Sequence, residues 1–272
     1  MAIIEKISCE SFELRHSIDK EPNDSEFKPH IHENYELYCL VKGDVDYIVE
    51  GHLYNLRPGA ILLMRPSETH KLIVKSKQEY ERYVLNFRHD FILENGFSKD
   101  ILSPYLSREL GKKNLYLPSE FEHITPLSYL EKIFKEARQL NYADVVLSNL
   151  VSLLSSISVA FCNKEIVDTD SDIGNKIISF VNRNLTDDIS TEAIASYVHL
   201  SPSQVSRIFK KLMGTSIHNY IISKRLILFH EKLSMGKSAL NASQECGFHD
   251  YSSFYRIYKK RFGKPPTKSR TE

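Results

Sequence analysis

The chain has 272 residues, 42% of them apolar and 26% charged, with ten Gly and ten Pro. These proportions exclude a disordered or fibrous chain, and the length suggests two domains at roughly 150 residues each. A formal charge of +1 argues against a protein that simply coats nucleic acid or a membrane.

That balance is a cancellation. Residues 1–172 carry 20 Lys/Arg against 28 Asp/Glu, a net of −8, whereas residues 173–272 carry 16 against 7, a net of +9. Such asymmetry raises the expectation of an anionic partner at the basic end, most often nucleic acid. Cys9, Cys39, Cys162 and Cys246 form no CxxC pair, so they read as reduced thiols of a cytoplasmic protein rather than a zinc or redox motif. The opening MAIIEKISCE carries acids and no long apolar core, so it is not read as a secretory signal. The most apolar stretch, 145–162, is broken by Asn149 and five serines, and no membrane partner is expected.

In chain order, the first ninety residues read as strands. YELYCLVKG (35–43), DVDYIVEG (44–51) and AILLMRPS (60–67) are short β-rich runs separated by Gly- and Pro-containing turns, with further strands expected at 11–16, 70–74 and 81–87. Short strands at this spacing predict a barrel or sandwich. From about residue 90 the pattern becomes helical. Leu127, Leu130, Phe134, Ala137 and Asn141 mark one stripe; Leu147, Leu150, Leu154, Ile157 and Phe161 mark a second, stepping by 3, 4, 3 and 4. The second stripe reads equally as a helix face buried on the barrel or as a short dimer seam. The polar, acidic run 163–172 reads as a linker between domains at 1–162 and 173–272.

Beyond the linker, Ser190 suits the cap of a helix through Ile194 to Val198. Ser201-Pro202 then suits an N-cap and first helical residue for a helix over 203–213, ended by Gly214. A helix over 217–234 follows, then helices over 239–246 and 249–262 ended by Gly247 and Gly263. The segments 190–214 and 238–263 are therefore two helix-turn-helix units. In such units the second helix enters the major groove, with Lys and Arg on phosphates and Arg, Gln, Asn, Ser or Thr on base edges. With Ile208, Phe209 and Leu212 on the apolar face, Ser203, Gln204, Ser206, Arg207 and Lys210 point outward in the first unit. With Phe254, Ile257, Tyr258 and Phe262 as core, Tyr251, Ser252, Ser253, Arg256, Lys259 and Lys260 point outward in the second. The joining helix of about 18 residues spans roughly 27 Å, against about 34 Å between successive major-groove faces, so both units can address one face of a duplex.

These residues carry a resemblance. Ser201, Phe209, Gly214, Tyr220 and Arg225, then Gly247-Phe248, Phe254, Arg256, Lys259, Phe262-Gly263, Pro266 and Arg270, resemble in identity and order the DNA-binding domain of the AraC/XylS family of bacterial transcription regulators, over about 100 residues. The resemblance implies double-stranded promoter DNA, RNA polymerase and a second copy of the chain as partners. It has one departure. Where the family usually carries bulky aliphatics in the first helix of the second unit, this chain has Ala239, Ala242 and Ser243, which bury less apolar surface. Arg207→Ala is therefore expected to weaken DNA binding more than Arg256→Ala.

At the acidic end, His30-Ile31-His32 precedes Glu36, and His70 lies two strands further on. Alternation along a strand would put His30, His32 and Glu36 on one face. That set can hold a divalent metal, or the imidazoles can simply be hydrogen-bonded at a pocket mouth. Tyr35, Tyr38, Tyr47 and Tyr54 offer ring faces and hydroxyls to a polar ligand. The HxHxxxE spacing resembles the first cupin motif; the second motif is looser, with Gly59, Pro66 and His70, and Glu68 where cupins usually have Gly. The resemblance implies a cupin-like β-barrel with flanking helices, ahead of an all-α domain whose two helix-turn-helix units are joined by a long helix. In cupin enzymes such residues bind a catalytic metal; in AraC-type regulators the barrel commonly senses a small molecule, often a sugar. No GxSxG, GxGxxG or phosphate-cradling GK[ST] motif is present, so no catalytic residues are assigned. The expected protein is a regulator with an effector site at His30, His32, Glu36, Tyr38 and His70; the alternative is a metal-dependent enzyme or metal sensor fused to a DNA-binding domain.

Overall fold

The computed structural model describes residues 2–121, 125–164 and 173–266, the side chains of residues 2 and 3 excepted. Residues 165–172 of the expected linker, and Arg270, lie outside the described residues. The chain divides into two compact units, Met1–Asp168 and Thr169–Glu272.

The first unit is built on nine strands: β1 (Ala2–Ser8), β2 (Phe12–Asp19), β3 (Tyr35–Lys42), β4 (Val45–Val49), β5 (His52–Asn55), β6 (Ile61–Met64), β7 (His70–Val74), β8 (Tyr80–Phe87) and β9 (Leu115–Tyr116). They form a six-stranded sheet in the order β1-β2-β8-β3-β6-β9 and a three-stranded sheet in the order β5-β4-β7. The strands read from sequence are all present; β1, β5 and β9 are additional, each too short or too polar to signal itself.

The near-continuous apolar character of β3 and β6 follows from burial on both faces. One side of each strand, Leu37 and Cys39 on β3 and Ile61 and Leu63 on β6, packs with Phe12, Leu14, Leu85 and Phe87 beneath the helices. The other side, Tyr38, Leu40, Leu62 and Met64, packs with Val45, Tyr47, Val49, Leu72 and Tyr80 between the two sheets.

The covering helices are α1 (Asp90–Leu93), α2 (Ser103–Leu106), α3 (Pro126–Glu136) and α4 (Tyr142–Cys162). Asn141, read from sequence as part of the α3 stripe, instead caps α4, its Oδ1 accepting from Ala143 N at 3.0 Å. Of the heptad stripe on α4, Leu150, Leu154 and Ile157 are buried in the sheet-backed core, and Leu147 and Phe161 pack partly against it. The stripe is therefore a core face, and its centre is not available as a dimer seam. By length and composition α4 also suits a membrane span, with a mean hydropathy of 2.0 over its most apolar window. Its inward face nevertheless meets the requirements of a core helix.

The second unit is helical: α5 (Ile173–Arg183), α6 (Thr191–Val198), α7 (Pro202–Met213), α8 (Ile217–Ser234), α9 (Ala239–Glu245) and α10 (Tyr251–Phe262). The helix ends follow the capping signals in the sequence. Ser190 and Ser201 accept from the backbone N–H of Ala193 and Gln204, and Gly214 and Gly263 close α7 and α10 in left-handed conformation. The last helix begins later than its sequence suggested. Asp250 is its N-cap, accepting from Ser252 N at 3.2 Å and Ser253 N at 2.8 Å, and His249 lies outside it.

Two cores form. Ile177, Ile178, Val181, Ile194, Val205, Phe209, Met213 and Tyr220 make the first, largely aliphatic. Phe229, Phe248, Phe254 and Tyr258 dominate the second, where large rings compensate for Ala242 and Ser243. Arg225, on α8, ties the two together. Its guanidinium donates to the carbonyls of Leu185 (2.8 Å), Asp187 (2.7 Å) and Gly247 (2.6 Å).

Candidate effector site and nucleic-acid interface

The histidine cluster assembles, though not as strand alternation predicts. His30 and His32 lie before β3 in an irregular segment. That segment is held to the smaller sheet by a single antiparallel bridge, in which His30 and His70 exchange N–H···O bonds of 3.0 Å. Asp24 anchors the same stretch, accepting from Val74 N and pairing with Lys71, both at 3.0 Å. Glu36 enters from β3 and His70 from the start of β7.

One ligand-capable atom from each of His30, His32, Glu36 and His70 falls within 4.8 Å of the others. His32 Nε2 meets Glu36 Oε2 at 2.9 Å, and His70 Nε2 stands 4.0 Å from the same oxygen. Each imidazole is oriented from behind: the Nδ1 of His30, His32 and His70 bonds the carbonyls of Lys28, Asn34 and Glu68 at 3.1, 2.9 and 2.8 Å. A carbonyl only accepts, so each Nδ1 carries the proton and each Nε2 is turned toward the cluster. His70 Nε2 is buried and has no hydrogen-bond partner.

The electrostatics fit this geometry. Burial opposes the Glu36 charge, yet the His32 hydrogen bond and the neighbouring imidazoles hold its pKa down to about 2. Burial also opposes the His32 cation, but Glu36 outweighs it and the pKa is raised. His70, more deeply buried, is pushed down to about 4 despite Glu36. The cluster is thus a carboxylate facing three imidazoles, of which the deeply buried His70 is less basic than His32.

The tyrosines do not join it as open surfaces. Tyr38 is sealed between the sheets, its hydroxyl 2.9 Å from that of Tyr80 and its ring against Tyr47. Tyr35 belongs to the helix-side core, and Tyr54 donates to the Gly111 carbonyl. A surface groove of about 530 Å³ lies elsewhere, by Glu5, Phe134, Arg138 and Tyr142, and shares none of the cluster residues.

Sequence reasoning noted Glu68 only as a departure from the cupin pattern. It is the centre of a buried network. Arg108 donates to both its oxygens at 2.5 and 2.8 Å, and Gly111 N, Arg65 N and Asn114 Nδ2 donate at 2.8, 3.0 and 3.1 Å. Burial opposes the Glu68 charge, but Arg108 and these donors hold its pKa down to about 2. The same residue's carbonyl orients His70, so the network supports the cluster from behind. Arg108 and Asn114 lie 40 or more positions from Glu68 in sequence, with no motif to link them.

In the second unit, Ser203, Gln204, Ser206, Arg207 and Lys210 are exposed along α7, opposite the buried Val205, Phe209 and Met213. Gln204 has a local role as well. Its Oε1 accepts from Ser201 N at 3.0 Å and Ser201 Oγ at 2.9 Å, completing a capping box. On α10, Ser252, Arg256, Lys259 and Lys260 are exposed. Tyr251 and Ser253, expected outward, are half-buried, with Tyr251 packed against the aromatic core because it begins the helix beside Phe254. Arg256 donates to Ser253 Oγ at 3.1 Å. Arg207, Lys210, Lys259 and Lys260 form no ion pair among the described residues. An exposed row of cations without carboxylate partners is the arrangement a phosphate backbone requires.

Comparison with known proteins addresses both units. Residues 17–123 match a family model described as an AraC-like ligand binding domain, and residues 194–272 match one described as a helix-turn-helix domain. The chain is 25% identical over 245 residues to the HTH-type transcriptional activator RhaS of Mannheimia succiniciproducens, covering 90% of this chain and 89% of that protein. It is 23% identical over 244 residues to the XylDLEGF operon transcriptional activator 1 of Pseudomonas putida, covering 86% and 71%. A crystal structure of ToxT from Vibrio cholerae aligns with a TM-score of 0.40 and 16% identity, covering 95% and 96%.

Proposed function

Since the chain belongs to the AraC/XylS family, and is a DNA-binding transcription regulator with a ligand-binding first domain rather than an enzyme, we propose that α7 and α10 read promoter DNA while a small polar effector binds over His30, His32, Glu36 and His70. In this reading Arg207, Lys210, Arg256 and Lys259 engage phosphates or guanines, and Ser203, Gln204, Ser206, Ser252 and Ser253 lie closest to base edges. The protein works in the cytoplasm as a homodimer beside RNA polymerase. Sugars are one candidate class of effector.

The observation that carries the reading is the unpaired cationic row on two capped helices whose cores are joined through Arg225. For occupancy to regulate, the effector must bind two states of the protein with different affinity. The test is a footprint on the promoter region with and without candidate effectors, run alongside a salt series. Log affinity should fall linearly with log salt as several phosphates are contacted. A flat response defeats the reading.

A further inference from the structure

We infer that residues 107–114 form a clasp that ties the C-terminal end of α4 to the backbone behind His70. The inference deepens the regulator reading proposed above and rests on that reading for its regulatory meaning. The clasp itself stands on contacts within the first unit.

The segment joins α2 to β9, and its inner side is built into the Glu68 network. The Arg108 side chain is fully buried. Besides Glu68 it serves the carbonyls of Leu63 on β6, Pro104 and Lys112, at 3.2, 2.8 and 3.2 Å. Asn114 Nδ2 donates to the Leu63 carbonyl at 2.6 Å as well as to Glu68. Gly111 presses on the turn after β4, where an added Cβ would lie 2.6 Å from Glu50 Cβ and 2.8 Å from the Val49 carbonyl oxygen. A buried charged network of this kind is costly to open at any one member, so its parts move together.

The outer side grips α4. Lys113 Nζ donates to the Lys164 carbonyl at 2.9 Å and lies 5.4 Å from the centre of the Phe161 ring, on the last turn of the helix. Lys164 reaches back, its ammonium paired with Glu120 and 4.5 Å from the centre of the Tyr116 ring on β9. Cations at this end of a helix also meet its carbonyl dipoles favourably. Lys113 has a φ of +54°, a left-handed conformation that lysine keeps only where its surroundings impose it. Asn114 in the network and Lys164 beyond the helix impose it from either side.

The clasp therefore has two ends. At one, the Glu68 carbonyl orients the His70 ring while the Glu68 carboxylate holds Arg108 and Asn114. At the other, Lys113 holds residue 164, the last one described before the run that the sequence marks as a linker. One peptide unit, between Lys113 and Asn114, separates the grip on α4 from the grip on Glu68. An effector that displaces the His70 imidazole thus acts on the point where α4 gives way to the linker, through three hydrogen-bonded steps. Coupling of this kind is reciprocal, so loosening either end must be felt at the other.

The experiment uses the full chain and hydrogen exchange read by mass spectrometry, on peptides covering residues 155–164 and 65–72. Lys113→Met removes the donor and keeps the apolar stem; the side chain is half-buried, so the variant should fold, as circular dichroism will verify. Lys42→Met, which breaks the exposed Lys42–Glu79 pair at 3.1 Å, is the control. In Lys113→Met both peptides should exchange about tenfold faster than in the wild type, as loss of one charge-assisted hydrogen bond implies, with neither changed in Lys42→Met. Glu68→Gln should loosen the 155–164 peptide in turn; if that variant fails to fold, the 65–72 peptide of Lys113→Met decides the matter. Unchanged exchange in 155–164, or a change confined to that peptide, overturns the inference. Promoter binding by the same preparations keeps the two readings apart. Salt-dependent DNA binding with unchanged exchange defeats the clasp alone, whereas the expected exchange without DNA binding upholds the clasp and defeats the regulator reading.

Discussion

Charge is buried in one unit of this protein and displayed in the other. The first unit encloses Glu36, Glu50, Glu68, His70, Arg82 and Arg108; in the second, Lys224 is the one charged side chain buried among the described residues. Arg207, Lys210, Arg256 and Lys259 stay in water. Burying a charge demands partners, so the first unit has a built polar interior in which each group constrains its neighbours. Exposed charge demands nothing of the fold, so Arg207, Lys210 and Lys259 form no ion pair among the described residues, and the second unit rests on apolar cores. Net charge signalled only that the two ends differ; enclosure against exposure separates the chemistry of a site from that of a surface.

The sharpest way to break this contrast is Glu68→Ala. It strands Arg108 as an uncompensated buried cation and should destabilise the first unit by about 3–5 kcal/mol, measured by denaturant unfolding. A loss below about 1 kcal/mol would show that the buried network is dispensable. The wild-type network also sets an acid limit. Because the Glu68 pKa falls from an ordinary 4.5 to about 2 on folding, its stabilisation is complete above pH 4.5 and is lost as pH falls toward 2. Glu68→Gln should flatten the stability profile across that window.

Next in size is Gly247→Ala, which tests whether backbone packing, rather than charge, integrates the second unit. Gly247 has a φ of +85°, and an added Cβ would lie 2.6 Å from the Thr186 carbonyl oxygen and 2.9 Å from Arg225 Cζ. A cost of about 2–3 kcal/mol is expected, with loss of cooperative melting of the two helix-turn-helix cores. A neutral substitution would mean that the Arg225 clamp tolerates displacement.

The displayed charges give a smaller and more selective effect. Arg207→Ala should weaken operator binding by about 1–3 kcal/mol at fixed salt. Arg256→Ala should weaken it less, since Arg256 is already tied to Ser253 and its helix begins at the Asp250 carboxylate. Equal losses would sink the asymmetry between the units. Smallest is Ser201→Ala, which removes the capping box of α7 for about 1 kcal/mol of stability, read by thermal melting. A larger loss of DNA affinity than of stability would show that the cap also positions Gln204.

Local signals carried much of the helical unit. A Ser-Pro start, a Gly stop and an apolar face every three or four residues act within a turn or two of helix, so α8 fell at 217–234 as read and α7 within one residue. The start of α10 was misplaced because Asp250, not His249, supplies the capping oxygen. In the strands, β-rich composition between turn residues located β3 and β6 but not the faces they serve, since both of their faces are covered.

The sequence by itself determined the division into an acidic sheet-rich part and a basic helical part, the paired helix-turn-helix units and the candidate ligand residues. Caps, periodicity and composition are properties of neighbouring residues, and they survive without a fold. Tertiary structure alone decided that His30 meets His70 through a bridge rather than along a strand, that Tyr38 is sealed inside, that the α4 stripe is core, and that Glu68 is held by Arg108 and Asn114. Glu68 and Asn114 alone stand 46 positions apart. Only chain folding brings such groups within hydrogen-bonding distance, and burial then makes the pairing compulsory.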